Sequence, residues 1–191
     1  LLGAASHVKK NNSTLHLMGL FSSGSVHAYI DHVYALLEFV KWAGVERVVM
    51  HPFTDGRDAP SDEGAGDLAK LTRSLSESYP NAVIGSVIGR TFAMDRDGHW
   101  DLTERAYNLL VEGKGLPFRD AERYMDESYK KGTMDEFVEP GFLTASNGSA
   151  MGRISDGDAV VYWDFREDSA RQLTQAFMLE TFPHFQRRKI K

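Results

Sequence analysis

Apolar residues along this chain follow two rhythms. Four segments are short, nearly continuous and rich in β-branched or bulky side chains: Ser13–Phe21 (STLHLMGLF), Val45–Met50 (VERVVM), Asn81–Gly89 (NAVIGSVIG) and Ala159–Phe165 (AVVYWDF). Runs of this kind, without strict alternation, predict strands covered on both faces. Between them the apolar positions recur at helical spacing. Ala28–Ala43 carries Ile30, Val33, Tyr34, Leu37 and Val40 and stops at Gly44, and Gly64–Tyr79 carries Leu68, Leu71 and Leu75. A further helix is expected through Arg105, Leu109 and Leu110, a more charged one over Arg119–Lys131, and a last one over Asp168–Thr181, ended near Pro183. The stretch from Gly132 to Asp158 reads as loops with room for short strands. Strand, loop and helix in repetition predict an α/β domain: a mainly parallel sheet with helices on both faces, an α/β/α sandwich.

A chain of 191 residues holds one such domain. We expect it over residues 13–183, with residues 1–12 and 184–191 as remnants of linkers. The first residue is not Met, which suggests a piece of a longer protein. No apolar run approaches the roughly 20 residues that cross a bilayer, and the early cations follow rather than precede the apolar residues, unlike a secretory signal. The net charge of −5 argues against nucleic acid as a partner. There is no cysteine, hence no disulfide, thiolate metal site or thiol nucleophile, which fits a cytoplasmic protein.

The chemistry collects after the strands. The first empties into Ser22, Ser23, Gly24, Ser25, Val26 and His27; the second into Asp55, Arg57 and Asp58; the third into Arg90, Asp95, Arg96 and Asp97; the last into Asp164, Arg166, Glu167 and Asp168. In a parallel sheet these loops share one edge, where ligands bind. Arginine presents a planar fork to phosphate or carboxylate, so several in one cleft imply a small, multiply charged anion. A nearby aspartate can orient the arginines, bind hydroxyls or move a proton. Taken singly, each Arg–Asp pair reads as a surface ion pair and each Asp–Gly step as a turn. GLFSSGSVH is not a dinucleotide-binding GxGxxG, and no histidines stand at metal-ligand spacing.

The segments HLMGLFSSGSVHAYIDH, FTDGRDAP, GSVIGRTFAMDRDGHWD, RAYNLL, DEFVEP and ISDGDAVVYWDFREDSARQLT, in this order and spacing from about His16 to Phe182, resemble the 2,3-bisphosphoglycerate-independent phosphoglycerate mutases. The resemblance is to that family's inserted substrate-binding α/β domain. It implies a glycolytic isomerase interconverting 3-phosphoglycerate and 2-phosphoglycerate through a phosphoserine. That serine and two manganese ions would lie on a phosphatase-like domain in cis, absent from these residues. No metal or other cofactor is expected in this chain, and the family implies a monomer. The resemblance assigns substrate binding to His27, Arg57, Asp58, Arg90, Arg96 and Arg166, proton transfer at the hydroxyls to Asp58, and bracing of the DGRD turn to Asp55. This chain alone is expected to be inactive.

Three departures stand out. The family's SDGGVH loop is SSGSVH here, Ser169 replaces the second arginine of its FRxDR motif, and Asp164 replaces an asparagine, adding negative charge near the anion site. Arg171 lies two residues on, roughly 200° around a helix, and is not expected to substitute. These changes leave a second reading open, a non-catalytic module that binds phosphorylated anions and descends from the same domain.

Overall fold

A computed structural model describes all 191 residues. In chain order the elements are α1 (Leu2–Asn11), β1 (Leu15–Leu20), α2 (Ile30–Trp42), β2 (Val48–Thr54), α3 (Gly64–Ser78), β3 (Ala82–Ile84), β4 (Ser86–Gly89), α4 (Arg90–Ala93), α5 (Trp100–Glu112), β5 (Leu116–Phe118), α6 (Ala121–Lys130), β6 (Gly141–Leu143), β7 (Ala159–Tyr162) and α7 (Arg171–Met178). Single 3₁₀ turns cover Asp135–Phe137 and Asp168–Ala170. The sheet runs β5-β6-β4-β2-β1-β7, with β3 beside the first half of β2. The β4–β6 pair is antiparallel and every other pair is parallel. This is the expected α/β architecture.

The four chemistry-bearing strands β1, β2, β4 and β7 are mutually parallel, so their outgoing loops do share one edge. Behind that edge Leu17, Leu20, Met50, Phe53, Val87 and Ile88 fill the core with Leu37, Leu68, Leu71 and Leu110 from the helices. Burying each such side chain stabilises the fold by about 1.5–3 kcal/mol, which fixes strand register and hence the position of each loop.

Several boundaries differ from expectation. The second strand, expected to end at Met50, continues through His51 and Pro52 to Thr54, so the turn begins at Asp55. The third expected strand is split in two. A Cβ at Gly85 would collide with Val49 Cγ1, and the chain steps there from pairing with Val48–Met50 to pairing with Phe53–Thr54. Residues 1–12, expected as linker, contain α1, because Ala5 and Val8 lie three apart on one helical face and are both buried. The C-terminal tail, expected to be a loose linker, packs back: the Tyr107 hydroxyl donates to the Arg188 carbonyl at 2.7 Å, and His184 stacks on Trp100 at 3.6 Å.

A buried polar chain crosses the sheet. His16 and His51 lie within 2.9 Å of one another (Nδ1 to Nε2), with Asp158 at 3.2 Å from one end and the Ser86 hydroxyl at 2.7 Å from the other. Burial and then the neighbouring His16 hold the His51 pKa well below its ordinary value, so the ring is neutral. Ser86 Oγ meets His51 Nδ1, His51 Nε2 meets His16 Nδ1 and His16 Nε2 meets Asp158, so every ring nitrogen has a polar partner. No spacing in the sequence links the two histidines. The two meet because alternate residues of adjacent strands share a face.

Val8→Ala is expected to cost about 1–2 kcal/mol in urea denaturation. A segment behaving as linker would show no change beyond about 0.5 kcal/mol.

Candidate functional site

The turn after β2 is built around Asp55. Its Oδ1 accepts the backbone N–H groups of Arg57 at 3.1 Å and Asp58 at 3.0 Å, and the Ser22 hydroxyl donates to its other oxygen. Arg90, at the first position of α4, reaches Asp55 at 2.5 Å and Asp58 at 3.1 Å. Burial pushes the Asp55 carboxyl upward, but Ser22, the two backbone N–H groups and Arg90 outweigh it and hold the pKa below the usual value. Asp55 is therefore an ionised brace, as expected, and Ser22 of the altered SSGSVH loop is part of it. Ser25, where the resembled loop has glycine, takes a left-handed backbone with φ of 50°.

The six predicted site residues fall into two groups. His27, Asp58 and Arg90 are a buried or nearly buried cluster: His27 Nδ1 lies 2.7 Å from Asp58 Oδ2, and the Arg90 side chain is 6% exposed. Arg57, Arg96 and Arg166 are half-exposed, at 59%, 46% and 47%. Arg57, Arg90 and Arg96 line one cleft of about 270 Å³, together with Asp97, Glu136 and Ser169. Arg166 is tied to the same cluster through Asp168, which it meets at 2.9 Å and which Arg96 also contacts. The Nε2 of His27 is buried, makes no hydrogen bond and lies 3.6 Å from Asp168 Oδ1. Burial raises the Asp168 carboxyl, while the Ser169 N–H, Arg166, Arg96 and His27 together hold it below its ordinary value.

Two residues that sequence reasoning did not single out complete the site. Glu136, from the turn before β6, accepts from Arg57 Nε at 2.6 Å. Gln172, on α7, spends its amide on the loop carrying Arg96: its NH₂ donates to Asp95 at 2.8 Å and to Thr103 at 2.9 Å, and its oxygen accepts the Gly98 N–H at 2.9 Å. Only DEFVEP and ARQLT, within the resembling segments, pointed at them.

The departures resolve physically. Ser169 is buried and lines the cleft, and Arg171 turns to solvent, pairing with Glu167 at 2.7 Å, so no arginine replaces the missing one. Asp164, expected to add negative charge, turns inward and accepts the Leu20 N–H at 3.1 Å. Burial raises its pKa to about 7, against smaller lowering effects from the Leu20 N–H, its own backbone N–H and Arg90. It is therefore largely neutral in mildly acidic solution, which corrects the expectation of a fixed charge. Nowhere do three or more His, Asp or Glu side chains gather as a metal site, and no helix is long and apolar enough to cross a membrane.

Because the folded pKa of Asp164, about 7, lies above the ordinary value of 3.8, stability falls as pH rises from about 3.8 to about 7 and levels off above that. Asp164→Asn keeps an acceptor for Leu20 but cannot ionise. Its melting temperature relative to wild type is expected to be higher at pH 8 than at pH 5; a difference independent of pH would contradict this assignment.

The chain matches the family model described as "BPG-independent PGAM N-terminus" over residues 1–191. It is 44% identical over 190 residues to the 2,3-bisphosphoglycerate-independent phosphoglycerate mutase 1 of Methanosarcina barkeri (strain Fusaro / DSM 804), covering 98% of this chain and 36% of that protein. It is 44% identical to the corresponding mutase of Salinibacter ruber (strain DSM 13855 / M31), covering 99% and 37%. A crystal structure of Leishmania mexicana phosphoglycerate mutase at low cobalt concentration superposes with a TM-score of 0.90 at 32% identity, covering 95% of this chain and 34% of that one. The chain thus spans a little over a third of the length of the curated relatives it matches. With that coverage and this fold, the chain belongs to the 2,3-bisphosphoglycerate-independent phosphoglycerate mutase family, of which it represents the N-terminal family region.

Proposed function

We propose that this chain is the phosphoglycerate-binding part of a phosphoglycerate mutase. The observation that carries the reading is the meeting of arginines from three separate strand-end loops, Arg57, Arg96 and Arg166, beside a buried His27–Asp58 pair. Such a site suits a small ligand with two anionic groups and hydroxyls. The exposed arginines hold the phosphate and carboxylate, and Arg90 acts beneath them, fixing Asp55 and Asp58.

In this reading Asp58 holds His27 through Nδ1, leaving Nε2 directed toward the ligand side near Asp168. The pair can take or return a hydroxyl proton as the phosphoryl group leaves the 3-oxygen and returns to the 2-oxygen. Arginines suit this work because phosphoryl transfer depends on positioning and charge neutralisation. The acceptor serine and the manganese ions implied by the family would belong to another part of a longer protein. No donor set in this chain fits a metal, so no step is drawn through one here. By itself the chain turns over no phosphoglycerate. Mutase activity that purifies with it and disappears in Arg166→Ala would overturn this.

The binding claim is tested by calorimetric titration with 3-phosphoglycerate. Arg96→Ala and Arg166→Ala are each expected to weaken binding by about tenfold or more, the scale of a lost charge-assisted hydrogen bond. Ser169→Arg, which restores a cation at the cleft wall, is expected to tighten it. Wild-type affinity in both alanine variants would contradict the reading. The alternative of a non-catalytic anion module draws on Ser169 and predicts the same binding; it differs in that the full gene would carry no metal-and-serine domain.

A further inference from the structure

We infer that Glu136 is a resident counter-ion of Arg57 that the ligand must displace, so that it lowers the site's affinity and favours multiply charged phosphate esters over weaker anions. This rests on the anion-binding reading above. One oxygen of Glu136 takes both donors on the side-on edge of the Arg57 guanidinium, Nε at 2.6 Å and Nη2 at 2.5 Å. That edge is the one a phosphate or carboxylate engages through paired hydrogen bonds. The hydrogen bond to Glu136 is the largest influence raising the Arg57 pKa, and the Glu136 charge raises it further. The Thr91 hydroxyl lies 3.4 Å from the same Glu136 oxygen.

The fold delivers this carboxylate by close backbone packing. Asp135–Phe137 is wedged between the DGRD turn and the end of β4. A Cβ at Gly56, whose φ is +81°, would lie 2.9 Å from the Glu136 nitrogen, and one at Gly89 would lie 2.5 Å from the Glu136 carbonyl oxygen. The Thr54 hydroxyl donates to the Asp135 carbonyl at 2.7 Å, and the Gly89 N–H donates to the Val138 carbonyl at 2.8 Å. The main chain of Glu136 is therefore held on both sides, while its side chain keeps rotatable bonds and ends at the cleft wall. Arg57 is 59% exposed and free to follow a ligand.

A guanidinium N–H cannot donate fully to two acceptors at once. An arriving anion must take the side-on edge from Glu136 or settle for the remaining donors. Either way, the standing pair subtracts from the binding free energy, and the loss is smallest in proportion for a ligand with a phosphate and a carboxylate. Asp97 also acts electrostatically on Arg57 and remains in place when Glu136 is neutralised, so the substitution isolates one contact.

The experiment is titration of 3-phosphoglycerate into wild type, Glu136→Gln, Arg57→Ala and the double variant, with urea denaturation confirming that each is folded. Glu136→Gln is expected to lower Kd by about two- to fivefold, the scale of a half-exposed ion pair, and to have no effect in the Arg57→Ala background. Wild-type binding with unchanged or weaker affinity in Glu136→Gln would overturn the inference, showing that Glu136 positions Arg57 or binds the ligand itself. If neither protein binds, the anion-site reading fails instead. The ion pair is then judged without ligand, by the rate at which phenylglyoxal modifies Arg57: faster reaction in Glu136→Gln upholds the resident counter-ion, and an equal rate overturns it.

Discussion

Arg90 is the keystone of the strand-end face. It is 6% exposed and faces two carboxylates, Asp55 and Asp58, from the turn after β2. A buried charge is costly unless paired, so the three groups must be brought together whenever the chain folds. That requirement joins the end of β4 to the end of β2. Ser22 and His27 extend it to the loop after β1, the first by donating to Asp55 and the second by pairing with Asp58. The contribution of such a cluster to net stability is small or even negative. Its consequence is geometric: three loops that the sheet merely places on one edge become a single rigid base.

On this base stands a more exposed upper layer. Arg57, Arg96 and Arg166 are half-exposed, and each already holds a carboxylate: Glu136 for the first, Asp168 for the other two. The division into a buried layer that positions and an exposed layer that grips is the arrangement expected of a preorganised anion site. It also explains why a net charge of −5 is compatible with anion binding. The cleft gathers cations locally while its own acids balance them, and on the proposed function a ligand would take the place of those acids.

Much of the fold was legible because the core helices and central strands carry long, pure patterns. Leu68, Leu71 and Leu75 could only be one helical face, and Val48, Val49 and Met50 could only be a covered strand. The gathering of Arg, Asp and His side chains was legible through one topological fact, that parallel strands empty onto one edge, while the roles of single residues came only from the resemblance. What escaped was short or non-local. β5 and β6 have three residues each, too few for a period to emerge. α1 has no side-chain N-cap and only two buried residues, so its tertiary packing, not its sequence, defines it. Glu136 lies 79 residues from Arg57, and no local pattern announces a partner at that distance. Asp164 looked like a surface charge because burial, which shifts its pKa, is a property of the packed molecule.

On the proposed function the strand-end cleft, rather than another surface, receives phosphoglycerate. A larger, mostly apolar groove of about 390 Å³ lined by Leu75, Val83, Ile84, Phe118 and Leu143 offers the main competing location. Titrating 3-phosphoglycerate into isotopically labelled protein distinguishes the two when the arginine Nε–H, histidine side-chain and Leu, Val and Ile methyl NMR signals are followed together. Binding in the cleft gives saturable shifts of Arg57, Arg96, Arg166 and His27 with the groove residues unmoved. Shifts confined to the groove, or none at the arginines while the ligand binds, would contradict it.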